Sequence, residues 1–183
     1  VAGRTLPLAS GGTASITLSK RANEGTDPWS QAGRKRDLLR AFVDHAMLAA
    51  SGLGADRPHR SLVVVATSGA PVVDAIELAP LTQDEARSWL RDRVRELLGQ
   101  PHAYFLPCEA VFVHAARDRD APVVPVLEEA RDKLRGGDGP PALRSAYGPV
   151  SRPQDFPIPT EEAARAMIDA RFGPILRATP EKR

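Results

Sequence analysis

RDLLRAFVDHAMLAASG, residues Arg36 to Gly52, is the stretch on which the fold turns. Leu38, Leu39, Phe42, Val43, Ala46, Met47 and Ala50 recur three and four residues apart, the spacing that lays an apolar stripe along one side of a helix. The pattern predicts a helix from about Arg34 to Ser51, stopped by Gly52.

The chain on either side is strand-like. Upstream, Thr13 to Lys20 (TASITLSK) alternates polar residues with Ala14, Ile16 and Leu18, the period of a half-buried strand that turns those three towards a core. A further strand is expected within Val1 to Leu8, and the turn formers of residues 22–33 (ANEGTDPWSQAG) predict a loop before the helix. Downstream, Leu62 to Ala66 (LVVVA) and Val72 to Leu78 (VVDAIEL), separated by Ser68, Gly69 and Pro71, predict a hairpin. Thr82 and Glu85 then form the T-x-x-E pattern of a capping box. It opens a helix whose expected buried stripe is Ala86, Trp89, Leu90, Val94, Leu97 and Leu98, with Gly99 and Pro101 as its stop.

Beyond Gln100 the texture changes, since residues 101–159 hold ten of the seventeen prolines. Short helices are expected at Cys108 to Ala116 and Pro125 to Arg135, then an extended stretch from Gly136 to Pro159. A last helix is expected from Thr160 to Gly173 and Pro174, with Glu161 and Glu162 near its positive end.

The 183 residues, 42% hydrophobic and 26% charged, suffice for one domain with a real core and a small appendage. No apolar run reaches membrane-spanning length, and no export leader opens the chain, which begins at Val1 and reads as a piece of a longer protein. Cys108, alone, cannot close a disulfide within the chain. The net charge of +2 names no partner, but its distribution is uneven. Residues 1–60 carry nine basic residues against five acids, whereas residues 61–160 carry eleven against fourteen. A polyanion would therefore meet the N-terminal third, with Lys20, Arg21, Arg34, Lys35, Arg36 and Arg40 as the candidate nucleic-acid-binding residues. Placed at a helix start, the cluster Arg34, Lys35 and Arg36 would oppose the macrodipole, so a phosphate backbone or Asp37 is expected to compensate it.

Other chemistries find no motif. His45, His59, His102, His114 and Cys108 show no metal-ligand spacing, and Cys108 and His114 would lie on roughly opposite faces of a helix. No P-loop, dinucleotide fingerprint or nucleophile elbow is present, and Trp29 and Trp89 read as a loop anchor and a core residue.

The order strand, loop, helix, strand, strand, helix resembles the later half of the PD-(D/E)XK nuclease core. In active RecB-type nucleases two carboxylates on adjacent strands bind Mg²⁺ and a lysine assists. Here Gly3-Arg4-Thr5-Leu6 and Leu18-Ser19-Lys20 stand at the two motifs, with Asp37 and Phe42 near the Gln and Tyr of the following helix. Leucine at both carboxylate positions offers no oxygen to a hard cation. Residues 36–52 together with SLVVVA and DAIELAPLTQDEARSWLRDRVRELLGQPHAYFLP look like the C-terminal nuclease-like domain of RecC, the gamma subunit of exodeoxyribonuclease V. Leu39, Phe42, Val43 and His45 fit its Leu-x-x-aromatic-hydrophobic-x-His helix; the likeness covers Arg34 to Pro107, loosely residues 1–33, and not residues 108–183.

The resemblance implies an α/β fold: an incomplete restriction-endonuclease-like core in residues 1–107, with a mixed sheet flanked by helices, followed by a Pro-rich helical extension in residues 108–183. It implies a bacterial, cytoplasmic, non-catalytic module that guides DNA ends or forks and holds RecB-like and RecD-like subunits, with no cofactor, no metal and no membrane contact. The alternatives are a fragment of an active RecB- or AddB-type exonuclease, with Asp27 and Asp37 as its spare acids, and an interaction module unrelated to nucleic acid.

Overall fold

The computed structural model describes residues 4–9, 11–19, 27–65, 72–99, 104–135 and 155–179. In chain order these form β1 (Arg4–Pro7), β2 (Thr13–Ser19), α1 (Pro28–Ser51), β3 (His59–Val65), β4 (Val72–Leu78), α2 (Gln83–Gly99), α3 (Cys108–Arg117), α4 (Val124–Arg135) and α5 (Glu161–Ala178). The class is α/β, with a four-stranded mixed sheet and five α-helices among the described residues. No described helix is long and apolar enough to cross a membrane.

The sheet order is β1-β2-β3-β4. β1 and β2 form an antiparallel hairpin with Leu6 opposite Ala14. β2 and β3 run parallel with Ser15 opposite Ser61, which requires a long crossover, and α1 lies within it. β3 and β4 close the expected hairpin, Ser61 opposite Ile76.

Helix α1 starts six residues before the expected boundary, so residues 28–33 are helical rather than loop. Asp27 is the reason: its Oδ1 accepts from the backbone N–H of Trp29 at 3.0 Å and of Ser30 at 3.1 Å, and the Ser30 hydroxyl donates to its Oδ2. Pro28 follows at the first helical position, where a missing N–H costs nothing. At the other end Gly52 takes φ 87° and its N–H bonds Ala49 O at 2.9 Å, as the pattern required.

The chain divides into two compact units that interleave along the sequence. One comprises residues 1–22, 37–99 and 173–183, the other residues 23–36 and 100–172.

In the first unit β2 departs from the expected orientation towards its outer end. Thr13, Ser15 and Thr17 are buried, whereas of the three residues expected inward Ala14 is buried, Ile16 half-buried and Leu18 82% exposed. The buried face continues through His59, Ser61 and Val63 of β3 and Leu78 of β4, under Phe42 and His45 of α1. α2 is fastened at its start by the capping box, Glu85 N–H to Thr82 Oγ1 at 3.2 Å and Thr82 N–H to Glu85 Oε2 at 3.0 Å. Of its expected buried stripe, Ala86 alone is buried and Trp89 packs edge-on to Phe42 at 5.0 Å; Leu90 is half-buried and Val94, Leu97 and Leu98 face solvent. Periodicity marks an apolar side but cannot say how far a neighbour extends along it.

In the second unit α3 is buried on nearly every side, from Glu109 through His114. Trp29 is part of a helix rather than a loop anchor; its indole N–H donates to Glu129 Oε1 at 2.7 Å, and Arg117 pairs with Glu129 Oε2 at 2.7 Å. Glu161 accepts from the backbone N–H groups of Val123 and Val124 at 2.9 and 3.0 Å, capping α4 with charge where the helix dipole favours it. α5 passes its expected stop and continues through Pro174 to Ala178. A proline there forfeits one helical hydrogen bond. Beyond it, in the first unit, Ile175 and Ala178 are buried and Ala178 O accepts from Ala79 N–H at 2.8 Å, which offsets the loss. The expected stretch at residues 136–159 lies mostly outside the described residues.

Candidate nucleic-acid interface

Of the six candidate residues, Lys20 and Arg21 lie outside the described residues, and Arg34 is described only as a position on α1. Lys35, Arg36 and Arg40 are exposed. Arg36 and Arg40 are one helical turn apart, the spacing at which side chains neighbour each other. The macrodipole argument does not apply to them, because the helix begins at Pro28 and the cluster stands in its second turn and beyond. Its start is instead served by the Asp27 carboxylate, which the Ser30 side-chain and backbone hydrogen bonds hold below the usual carboxylate range.

Among the described residues Asp37 forms no ion pair with Lys35 or Arg40. Asp44, one turn beyond Arg40, is pushed up by partial burial, which the Arg40 charge opposes. In the second unit the Arg36 charge also acts on Cys108 and Glu109. What remains is a short run of exposed cations on one helix, able to meet phosphate oxygens without reading bases.

The two positions likened to nuclease carboxylates are not arranged as a metal site. Leu6 and Leu18 share the open face of the sheet, but Leu6 is opposite Ala14, four residues before Leu18. At about 3.3 Å per residue, that is some 13 Å along the strand, beyond the reach at which two short carboxylates share one cation. Both side chains are exposed, Leu6 at 48%. No group of three or more His, Cys, Asp or Glu among the described residues could hold a metal ion.

A polar cluster that sequence reading missed lies in the first unit. His45 and His59, scattered in sequence, stack at 5.2 Å with their rings 19° from parallel, and both are fully buried. Both ring nitrogens of His59 are bonded, Nδ1 to Thr13 Oγ1 and Nε2 to Ser15 Oγ, each at 2.8 Å. His45 Nε2 bonds Ala79 O at 3.0 Å. Burial, and then the neighbouring His45, hold His59 down to about 4, so both rings are neutral at pH 7. The Ser15–His59 pair has the residues of a nucleophile and base, but both are fully buried, where no substrate reaches them. Its role is to satisfy strand hydroxyls. The legible signal was the hydroxyl on every second residue of TASITLS, a face that needs polar partners if buried.

Cys108 is a poor nucleophile: burial, then the Glu109 charge, drive its thiol far up, and its S–H donates to Glu109 Oε2 at 3.2 Å. His114 is buried and bonds Ala121 O at 2.8 Å through Nε2. His102 lies outside the described residues. The chain matches no family model, no curated protein and no solved structure.

Proposed function

We propose that the chain is a non-catalytic DNA-guiding and scaffolding module of a bacterial, cytoplasmic helicase-nuclease of the RecBCD type, acting in double-strand-break repair beside RecB-like and RecD-like subunits. The observation that carries the proposal is the exposed cationic run Lys35, Arg36 and Arg40 on α1. Support comes also from the succession β2, α1, β3, β4, α2, which is the order of the nuclease-like core. The active-exonuclease alternative is disfavoured, because Asp27 is committed to capping α1.

Forked DNA titrated across a salt series tests the proposal. Arg34→Ala, Lys35→Ala and Arg36→Ala together should weaken binding on every sequence and flatten the salt slope by about 0.9 per lost phosphate contact. A slope unchanged by the triple variant would leave these residues as a solvated helix face. Incubation of the unaltered chain with duplex and single-stranded ends and Mg²⁺ or Mn²⁺ should yield no cleavage; turnover abolished by Asp37→Ala would instead favour the exonuclease. A second reading, an interaction module unrelated to nucleic acid, is favoured by the exposed apolar residues of the sheet and of α2.

A further inference from the structure

The first half of α2 is anchored, and its second half carries an exposed apolar stripe. Besides the capping box, Gln83 Nε2 donates to Ala50 O at 3.1 Å and Arg87 Nε to the same carbonyl at 2.9 Å. Ala86 is buried and Trp89 packs against Phe42. Two turns later Val94, Leu97 and Leu98, spaced three and four residues apart on one side, are 53%, 72% and 81% exposed. Apolar side chains so grouped and so exposed mark a surface that binds something.

The charges of α2 say what. At 100° per residue, Arg87, Arg91 and Arg95 follow each other along one border of this stripe. Glu85, Asp92 and Glu96 lie across the helix from it, and Asp84, on the arginine side, stands at the distant start of the helix. Arg91 makes no ion pair among the described residues, and Arg95 makes a long one, 3.9 Å to Asp92, with its side chain 73% exposed. Arg93, on the other border, is held by Glu96 at 2.9 Å. Among the residues of α2 the stripe is thus apolar with a cationic edge and no acid on its own side.

We infer that the second half of α2 is a docking surface for an acidic amphipathic segment of a partner protein, which seats apolar residues on Val94, Leu97 and Leu98 and carboxylates against Arg91 and Arg95. A helix-in-groove or helix-on-helix contact of this kind takes its affinity from the apolar anchors. The flanking charges set orientation and partner choice. This inference is independent of the nucleic-acid reading, whose residues are on α1.

Anisotropy titrations of a labelled leucine-striped helical peptide test it, made once with glutamates flanking the stripe and once with lysines there. The glutamate peptide should bind at least about tenfold tighter, and its advantage should shrink as salt rises. Arg91→Glu with Arg95→Glu should invert the preference, and Leu97→Ser with Leu98→Ser should abolish binding of both peptides while leaving the thermal melt in place. Equal binding of the two peptides, or none, overturns the inference. A serine double variant that melts well below the unaltered chain overturns it too, since the chain's own residues would then cover the stripe. So does a concentration-dependent dimer that the serine variant dissolves, since the occupant would then be a second copy.

Discussion

His59 shows how one side chain links a strand pattern to solution behaviour. Its two ring nitrogens bond Thr13 and Ser15, its ring stacks on His45, and all of these residues are buried. Its folded value of about 4 lies below the value of 6.5 for the free side chain. The unfolded chain therefore binds this proton more tightly, so the stability contributed by neutral His59 is complete above pH 6.5 and is lost as pH falls towards 4. The loss is on the order of 3 kcal/mol. Denaturant midpoints taken at successive pH values should fall across that window, and His59→Asn, although less stable at pH 7, should show a flatter profile. A parallel profile would assign the acid sensitivity elsewhere. The same scale settles a second question, whether carboxylates placed at Leu6 and Leu18 could rebuild a metal site. With the two positions four residues apart along the ladder, Leu6→Asp with Leu18→Glu should show no Mg²⁺ or Mn²⁺ binding by calorimetry and little loss of stability, because both side chains are already exposed.

At the scale of the element, β2 offers a test of which of its faces is inside. Ser15→Ala removes the partner of a buried ring nitrogen and should cost about 1–3 kcal/mol, although it deletes a single oxygen. Leu18→Ser deletes most of a large apolar side chain, yet should change stability by about 0.5 kcal/mol or less, since that side chain is 82% exposed. Urea unfolding of the two variants distinguishes the hydroxyl-in arrangement from the apolar-in one, because the order of their effects reverses. N-terminal caps explain why α1 and α2 begin where they do. Asp27→Ala should lower stability by about 1 kcal/mol, as should Thr82→Ala, each removing acceptors from otherwise unpaired N–H groups. The two should add, since the caps serve different helices.

At the scale of the molecule, the sheet of the first unit has one face under α1 and another that is open. Leu6, Leu18 and Val73 are exposed there, and Ile16, Leu62 and Val64 are half-buried, with the exposed Arg60–Glu77 pair as the cross-strand charge among them. Exposed apolar residues on adjacent strands favour association. The chain should bind a hydrophobic dye when native, and sedimentation at rising concentration should reveal self-association that Leu18→Lys with Val73→Lys suppresses. A monodisperse, dye-negative chain would show that this face is covered. The second unit has no sheet among its described residues. It is held by α3, buried almost all round, and by two acids that reach across its elements, Glu129 to Trp29 and Arg117 and Glu161 to the start of α4.

Periods and caps were readable without coordinates because they depend on neighbours within one turn or one strand. The helical spacing of residues 36–52, the capping box at Thr82 and Glu85, the stop at Gly52 and the hairpin of β3 and β4 all follow from such local physics. The true start of α1 was legible too, in Asp27-Pro28, but small and turn-forming residues around it favoured a loop. What tertiary structure alone decided depends on residues distant in sequence. A period of two says that the faces of β2 differ, but only His59, forty-four residues beyond Ser15, makes the hydroxyl face the buried one. A helical period says that α2 has an apolar side, but only the length of its packing against α1 leaves Val94, Leu97 and Leu98 bare. The helix-ending strength of Pro174 was likewise overridden by the burial of Ile175 and Ala178. Local sequence determines which groups need partners, and the fold determines which partners arrive.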